Sequence, residues 1–475
     1  MFKTFANIFR VPELRNKVLF TLFLLCIYRV GFHVPIPGVD QERFADMTKN
    51  QGEGDTFGRL TSYLSIFSGG SLSQSTIFGL GVMPYISSSI IFQLLGTVVP
   101  SLEKMQKEGE TGRRKIQEWT RYATIPLCII QGIFWVGYMM KPGGTGSLVQ
   151  HQFVYGHPIT FWIMSLACLT AGSIFLMWLG EQIDEYGLGN GISLLILAGI
   201  VARMPYAVML LVEKTNLTAN PNTAKPIGIG QILFLMFAFV FIIAGSILIT
   251  QAQRRIPVQQ AKHTKGRRVY GGAKQYLPLR VNHGGVMPII FAQSLMMFPQ
   301  MLFPQLDRWV NEGKASADLG FFGHLVQFLN IEFGRGAFLY MLIEVVMIYF
   351  FSYFWTTVQF QPKEMANQLR DYGSFIPGLR PGKRTADYLE KVMMRMTYVG
   401  GAFLCIIAVI PTAVTAWMHI DYQISAFLGG TGLLIVVSVA LDMVQRIEAN
   451  LLMRNYSGFL SGPGSKGKRI KGRQY

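Results

Sequence analysis

GVMPYI, Gly81 to Ile86, returns as GVMPII, Gly285 to Ile290, with five of six letters identical. A helix needs about 20 apolar residues to cross the hydrocarbon core of a bilayer. Scanning outward from the two copies finds ten such runs: 18–34, 76–99, 122–140, 159–179 and 192–212, then 230–250, 285–303, 336–358, 392–417 and 424–444. The copies fall in the second and seventh runs. Five spans separate corresponding positions, an odd number, so the two sets of five cross the membrane in opposite senses. Inverted repeats of this kind build membrane conduits, with the working site at the interface between halves. The expected fold class is an all-α polytopic membrane protein, with ten transmembrane helices in two inverted pseudo-symmetric five-helix halves, 18–212 and 230–445, joined by an external connector, 213–229. Pro84 and Pro288 each remove a backbone donor, so both helices are expected to be loosened or kinked there.

Composition points the same way. Of 475 residues, 51% are hydrophobic and only 15% charged, whereas a soluble domain carries about 25% charge. Cys26, Cys128, Cys168 and Cys405 are scattered singly through apolar runs, without the close spacing of a zinc site, a redox motif or a disulfide scaffold. They read as small core residues.

A net charge of +17 invites a nucleic-acid reading, but its distribution narrows that. Thirty-two of the 43 Lys and Arg lie before span one, after the even-numbered spans and in the tail. Positive charge marks the cytoplasmic side, so both the N-terminus (1–17) and the basic tail (446–475) are expected in the cytoplasm. Two cytoplasmic loops are long. Loop 251–284 has eight basic residues and no acid, and loop 359–391 carries the Pro- and Gly-punctuated FIPGLRPGKR, Phe375 to Arg384. Topology and anionic lipid explain the sign of this charge. The length and stiffness fit a docking projection for something large, such as an RNA surface or a motor.

Before span two, FGRLTSYLSIFSGG (Phe57 to Gly70) places Leu60, Leu64 and Phe67 at helical spacing and ends in Gly69-Gly70. It is too short to span. On its own it reads as an interfacial surface helix in preference to a hinged half-helix on the outer side. Signs of catalysis are missing: no G-x-x-x-x-G-K-[ST], G-x-S-x-G or H-E-x-x-H string occurs, and GLGNG (Gly187 to Gly191) precedes a span rather than following a strand. No metal site or cofactor is expected. Ionisable groups inside spans mark ion-coupled transport, and here Glu344 is the main one, with Arg29, Arg395 and Asp442 near span ends. That is sparse for an ion relay, but it keeps an ion-coupled secondary transporter of a small solute as the alternative.

FSGGSLS, LGVMPYISSSIIFQLL, KEGETGRRKIQEWTRY, GLGNGISLLILAGIV, RRIPVQQAK, GRRVYGG and FIPGLRPGKRTADYL together resemble the bacterial SecY family, the channel subunits of the Sec protein translocase. The resemblance covers roughly Val18 to Tyr456. It implies a non-enzymatic, protein-conducting channel in the bacterial inner membrane, with a lateral gate to lipid between spans two and three and spans seven and eight. It also implies a plug around 57–72 (Leu60, Leu64, Phe67, Ser68, Gly69, Gly70) and a constriction ring of Val82, Ile86, Ile192, Ile196, Ile290 and Ile435. Val82 stands where isoleucine is common. The spacing is sensible in itself, since Val82 with Ile86 and Ile192 with Ile196 are i, i+4 pairs on one helix face, and an apolar constriction dewets and blocks ions. Gate candidates are Ser87, Gln93, Ser294 and Phe298. The partners implied are SecE, SecG, the SecA motor, the ribosome, signal sequences and nascent chains. Docking is assigned to Arg254, Arg255, Arg267, Arg268, Arg380, Pro381 and Gly382, with no sequence-specific nucleic-acid binding.

Overall fold

The computed structural model describes residues 12–40, 76–140, 149, 158–215, 228–260, 263–265, 268–270, 274–282, 284–311, 320–334, 337–418 and 431–460. The first set of helices is α1 (Pro12–Gly31), α2 (Met83–Val98), α3 (Pro100–Lys107), α4 (Glu110–Met140), α5 (Pro158–Tyr186) and α6 (Gly191–Lys214). The second comprises α7 (Ile229–Gln251), α8 (Met287–Asn311), α9 (Phe321–Glu332), α10 (Phe338–Gln359), α11 (Pro362–Asp371), α12 (Lys383–Met418) and α13 (Thr431–Leu460). Strands β1 (Gln253–Gln260), β2 (His263–Lys265), β3 (Arg268–Tyr270) and β4 (Lys274–Arg280) follow α7, and β5 (Ser374–Phe375) follows α11. Among the described residues, six helices are long and apolar enough to cross a membrane, or seven if α2 and the start of α3, bent by 103°, form one span. The chain is a multi-pass helical membrane protein.

Helix boundaries follow local chemistry. Helix α1 opens with Pro12 and Glu13 and closes with Arg29, matching the charge of its dipole at each end. Gly31 leaves room for the ring of Phe78, which any β-carbon there would strike. Tyr28, Phe32, Phe78 and Phe175 continue as an aromatic chain with centroids 4.7 to 6.1 Å apart along consecutive contacts. The α2–α3 bend falls at Val99-Pro100, where the residue before proline is extended, as the proline ring demands.

Several expectations are corrected. Residues 76–82 are bridge and turn, so the second span's helix starts at Met83. Pro84 and Pro288 accordingly stand in the first turn of α2 and α8. A first-turn proline lacks a donor that would be unpaired anyway, so it starts a helix rather than kinking one. Helix-interior prolines occur instead at Pro126, Pro205, Pro299 and Pro304. Helix α12 begins at Lys383, inside the expected loop 359–391, and α13 continues to Leu460, inside the expected tail.

The all-α expectation also needs amending. Loop 251–284 is a β-ribbon, β1 antiparallel to β4, with β2 and β3 paired beyond it. Strand β5, from the other long loop, adds to β1 through Gln259 with Phe375 and Gln260 with Ser374, giving the order β4-β1-β5. Alternation along the ribbon sends Ile256, Val258 and Leu279 inward. There they join Phe360, Ile376, Leu389, Val392, Met393 and Met396 in a core separate from the main one. The two long basic loops thus form one small packed body built on α11 and the start of α12.

Candidate channel interface

The strongest helix contacts between the first set and the second are α2 against α8 and α6 against α13. Five of the expected ring residues stand on these four elements, and Val82 immediately precedes α2. Val82, Ile86, Ile196, Ile290 and Ile435 are buried in the main apolar cluster, and Ile192 packs against it from a partly buried position. These six side chains thus belong to the apolar interior shared by the two helix sets, where van der Waals packing rather than removal from water holds helices together.

The two GVMP boxes build the same local device. Gly81 has φ 60° and Gly285 φ 57°, left-handed values that glycine adopts without strain. Each is followed by a valine whose carbonyl accepts the first helical bond, from the Ile86 N–H to Val82 at 3.1 Å and from the Ile290 N–H to Val286 at 3.2 Å. A turn and a first-turn proline thus aim Ile86 and Ile290 at equivalent positions of α2 and α8.

Ile192 and Ile196 are aimed by the α5–α6 corner, which is GLGNG. Asn190 caps α6 by accepting from the Ser193 N–H at 3.0 Å, and Asp184 accepts from the Gly191 N–H at 2.7 Å. Gly191 lies so close to the Gly180 carbonyl that a β-carbon would collide with it, and Ile192 Cδ1 lies 2.6 Å from where a β-carbon on Gly180 would stand. These glycines serve backbone-to-backbone packing, which disposes of the dinucleotide motif. Thr21 of α1 ties in by accepting from the Leu188 N–H at 3.1 Å, and Arg121 of α4 pairs with Glu181 of α5 at 2.6 Å.

Among the gate candidates, Ser87 is buried and its hydroxyl makes no hydrogen bond among the described residues. Gln93 Nε2 donates to Ser89 at 3.1 Å, and Ser294 donates back to the Ile290 carbonyl at 2.7 Å. Phe298 is half-buried on α8 beside Pro299. Sequence reasoning missed Gln131 on α4 and Gln300 on α8, both buried with side-chain amides that make no hydrogen bond among the described residues. It also missed Ser88, which donates to the Thr120 carbonyl at 2.7 Å and joins α2 to α4. A glutamine inside an apolar run was the available signal. Leaving buried amides unpartnered costs free energy, which makes these two glutamines further candidates for interhelical contacts. Glu344 is buried and takes a 3.4 Å bond from Gln293 Nε2, an acid held by its neighbour helix, and nothing supports the transporter alternative.

Arg254 and Arg255 are exposed on β1, and Arg268 lies in β3. Arg380 and Pro381 are exposed at the turn into α12, with partly buried Gly382 next to them. The Arg380 carbonyl accepts from Thr385 Oγ1 at 3.0 Å, so this tip is hydrogen-bonded to the helix behind it. Arg267 and the whole plug segment, Leu60, Leu64, Phe67, Ser68, Gly69 and Gly70 included, lie outside the described residues.

These features define a multi-pass helical membrane protein whose two helix sets share an apolar interior that also holds buried polar side chains. The family model described as SecY matches residues 76–444. Similar curated proteins include the protein translocase subunit SecY of Thermotoga maritima, 38% identical over 470 residues, covering 99% of this chain and 100% of that one. The SecY of Streptomyces galbus is 40% identical over 466 residues, covering 97% and 100%. Among solved structures, a protein-conducting channel matches with a TM-score of 0.60 at 19% identity over 95% of each chain. Sec61 of the canine ribosome-channel complex matches with 0.57 at 17%, again over 95% of each. The chain belongs to the SecY family.

Proposed function

We propose that the chain is the central protein-conducting channel of a bacterial Sec translocon, passing unfolded secretory polypeptides across the inner membrane and releasing transmembrane segments to lipid through a lateral gate. The observation that carries this reading is similarity over its length to protein translocase subunits, and it is supported by buried aliphatic side chains at the expected ring positions, on or beside the four helices where the two sets meet.

The reading takes α1, α2, α4, α5 and α6 as one half and α7, α8, α10, α12 and α13 as its inverted counterpart. Packing supports this pairing. Helix α1 packs on α5 and α6 as α7 packs on α12 and α13; α2 packs on α4 as α8 on α10; α4 on α5 as α10 on α12; and α5 on α6 as α12 on α13. The skew of basic residues supports cytoplasmic termini.

In this mechanism the chain does no catalysis. A signal segment enters between α2 and α8, exchanges its own contacts for interhelical bonds worth about 0.6 kcal/mol each in membranes, and the halves part. The plug, 57–72, moves outward, and the ring closes around the passing chain as an apolar gasket. SecA or the ribosome, docked on the loop body through Arg254, Arg255, Arg267, Arg268, Arg380, Pro381 and Gly382, supplies the energy, with SecE bracing the halves and SecG peripheral.

The test is an arrested precursor with photoreactive residues placed at Ile86 and Ile290. Crosslinks to the precursor from both positions are expected, and crosslinks found only in outer loops would overturn the channel reading.

A further inference from the structure

Helix α9, Phe321–Glu332, lies between α8 and α10 and packs on both. Its 12 residues span about 18 Å, too little to cross a bilayer. One side is fastened down. Gly323 and Val326 are buried, Asn330 Nδ2 donates to Asp307 Oδ2 of α8 at 2.8 Å, and Phe333, just past the helix end, packs on Phe303 at 4.7 Å.

The other side is apolar and uncovered. Phe321, Phe322, Leu325, Phe328 and Ile331 are 85, 67, 41, 55 and 62% exposed. At 100° per residue they sweep roughly half the helix circumference. Two polar side chains fall within that arc: His324, and Glu332 at the helix's last position, the one charged residue in the helix. Five large hydrophobic side chains on one arc of so short a helix form a patch that water-facing surfaces rarely carry.

We propose that α9 is an interfacial lipid anchor. Its exposed arc lies at the boundary of headgroups and acyl chains, in the leaflet opposite the basic loops, and moors the ends of α8 and α10 to that leaflet. Continuity singles out lipid as the occupant. On α10, Phe338, Leu342, Val346 and Phe350 are all exposed at four-residue spacing, the stripe of a span that faces hydrocarbon, and α9 packs on this same helix with its own apolar side uncovered. Trp309 near the end of α8 is 81% exposed, the placement of an aromatic at a membrane boundary. A water-soluble partner would leave this surface without complementary charge. The inference rests on reading α8 and α10 as spans, and it attaches both to one leaflet through a single short helix.

The experiment uses the unaltered chain in its complex, in vesicles of phosphatidylethanolamine and phosphatidylglycerol carrying a phospholipid with a diazirine on its acyl chain. Hydroxyl-radical oxidation and photolabelling are both mapped by peptide. Phe321, Phe322 and Phe328 are expected to be protected to the level of Phe350, to take up the lipid label, and to become oxidised when detergent replaces lipid and is then stripped away. Tyr372, 79% exposed in the loop body, is expected to oxidise throughout. Oxidation of the α9 phenylalanines in vesicles while Phe350 stays protected would overturn the anchor and leave the spans standing. Protection without lipid label would mean a protein covers α9, and it too overturns the anchor. Oxidation of Phe350 itself would remove the reading of α10 as a span.

Discussion

Arg380 and Gly191 sit at opposite extremes of what one residue can do here. Arg380 is exposed, and its side chain carries no packing load. Exposed substitutions usually move stability by less than about 0.5 kcal/mol, so Arg380→Glu is expected to leave the fold intact and to lower SecA-driven export by tenfold or more, roughly the effect of reversing a charge in a docking contact. The assay is translocation of a radiolabelled precursor into vesicles with SecA and SecE, and unchanged ATP-driven export would remove the docking assignment. Gly191→Ala acts through structure alone. Its β-carbon meets the Gly180 backbone, which no rotamer change relieves, so a loss above about 3 kcal/mol is expected, in the range of severe overpacking. Thermal unfolding in detergent reads it out. A melting point equal to the parent's would show that the corner opens freely.

At the scale of elements, the ribbon is where sequence and structure part. QRRIPVQQ and KQYLPLR alternate inward and outward, but a proline inside each run argues against a strand. The structure resolves the conflict by position. Pro278 is on an outer strand, and Pro257 lies outside the two positions of β1 that pair with β5, so its missing donor breaks no bond on that side. Helix starts were illegible for a similar reason: hydropathy runs through Thr76 to Val82, whereas a left-handed glycine and a first-turn proline decide where α2 begins. The repeated GVMP box and the apolar runs were legible because letter identity and hydropathy carry them, whereas the ring positions rest on the family resemblance. The buried amides of Gln131 and Gln300 were not, since partnership depends on neighbours far away in the chain. Because the ribbon shares a core with α12, Ile256→Ala is expected to cost that core about 2 to 5 kcal/mol. Hydrogen exchange should then speed up in 253–260, 274–280 and 374–375 together. Acceleration confined to β1 would mean the two loops do not form one body.

At the scale of the whole molecule, the main contacts between the helix sets are α2 with α8 and α6 with α13, and the ring draws on all four. On the proposed channel reading a passing chain needs the ring to widen, and two helix sets joined along two seams widen most simply by opening one and pivoting on the other. The seams are chemically unequal. Ser87 of α2 and Gln300 of α8 have polar atoms without a hydrogen-bond partner among the described residues, so parting these two helices is expected to forfeit little hydrogen bonding. The α6–α13 side is backed by Leu14 of α1 and Leu188 of the α5–α6 corner, packed with Ile447 of α13, and separation there would expose that cluster at about 25 cal/mol per Å² of apolar surface. A short thiol-reactive bridge between Ser87→Cys and Ser294→Cys is therefore expected to abolish precursor passage and channel conductance, with recovery on cleaving the bridge. A bridge between Leu14→Cys and Ile447→Cys should leave both within about twofold of the unbridged protein, as expected for distant, uncoupled sites. Translocated fraction and single-channel conductance, measured on the same preparations with and without reductant, separate the cases. Equal loss from the two bridges would mean that the halves move apart bodily and that neither seam is a hinge.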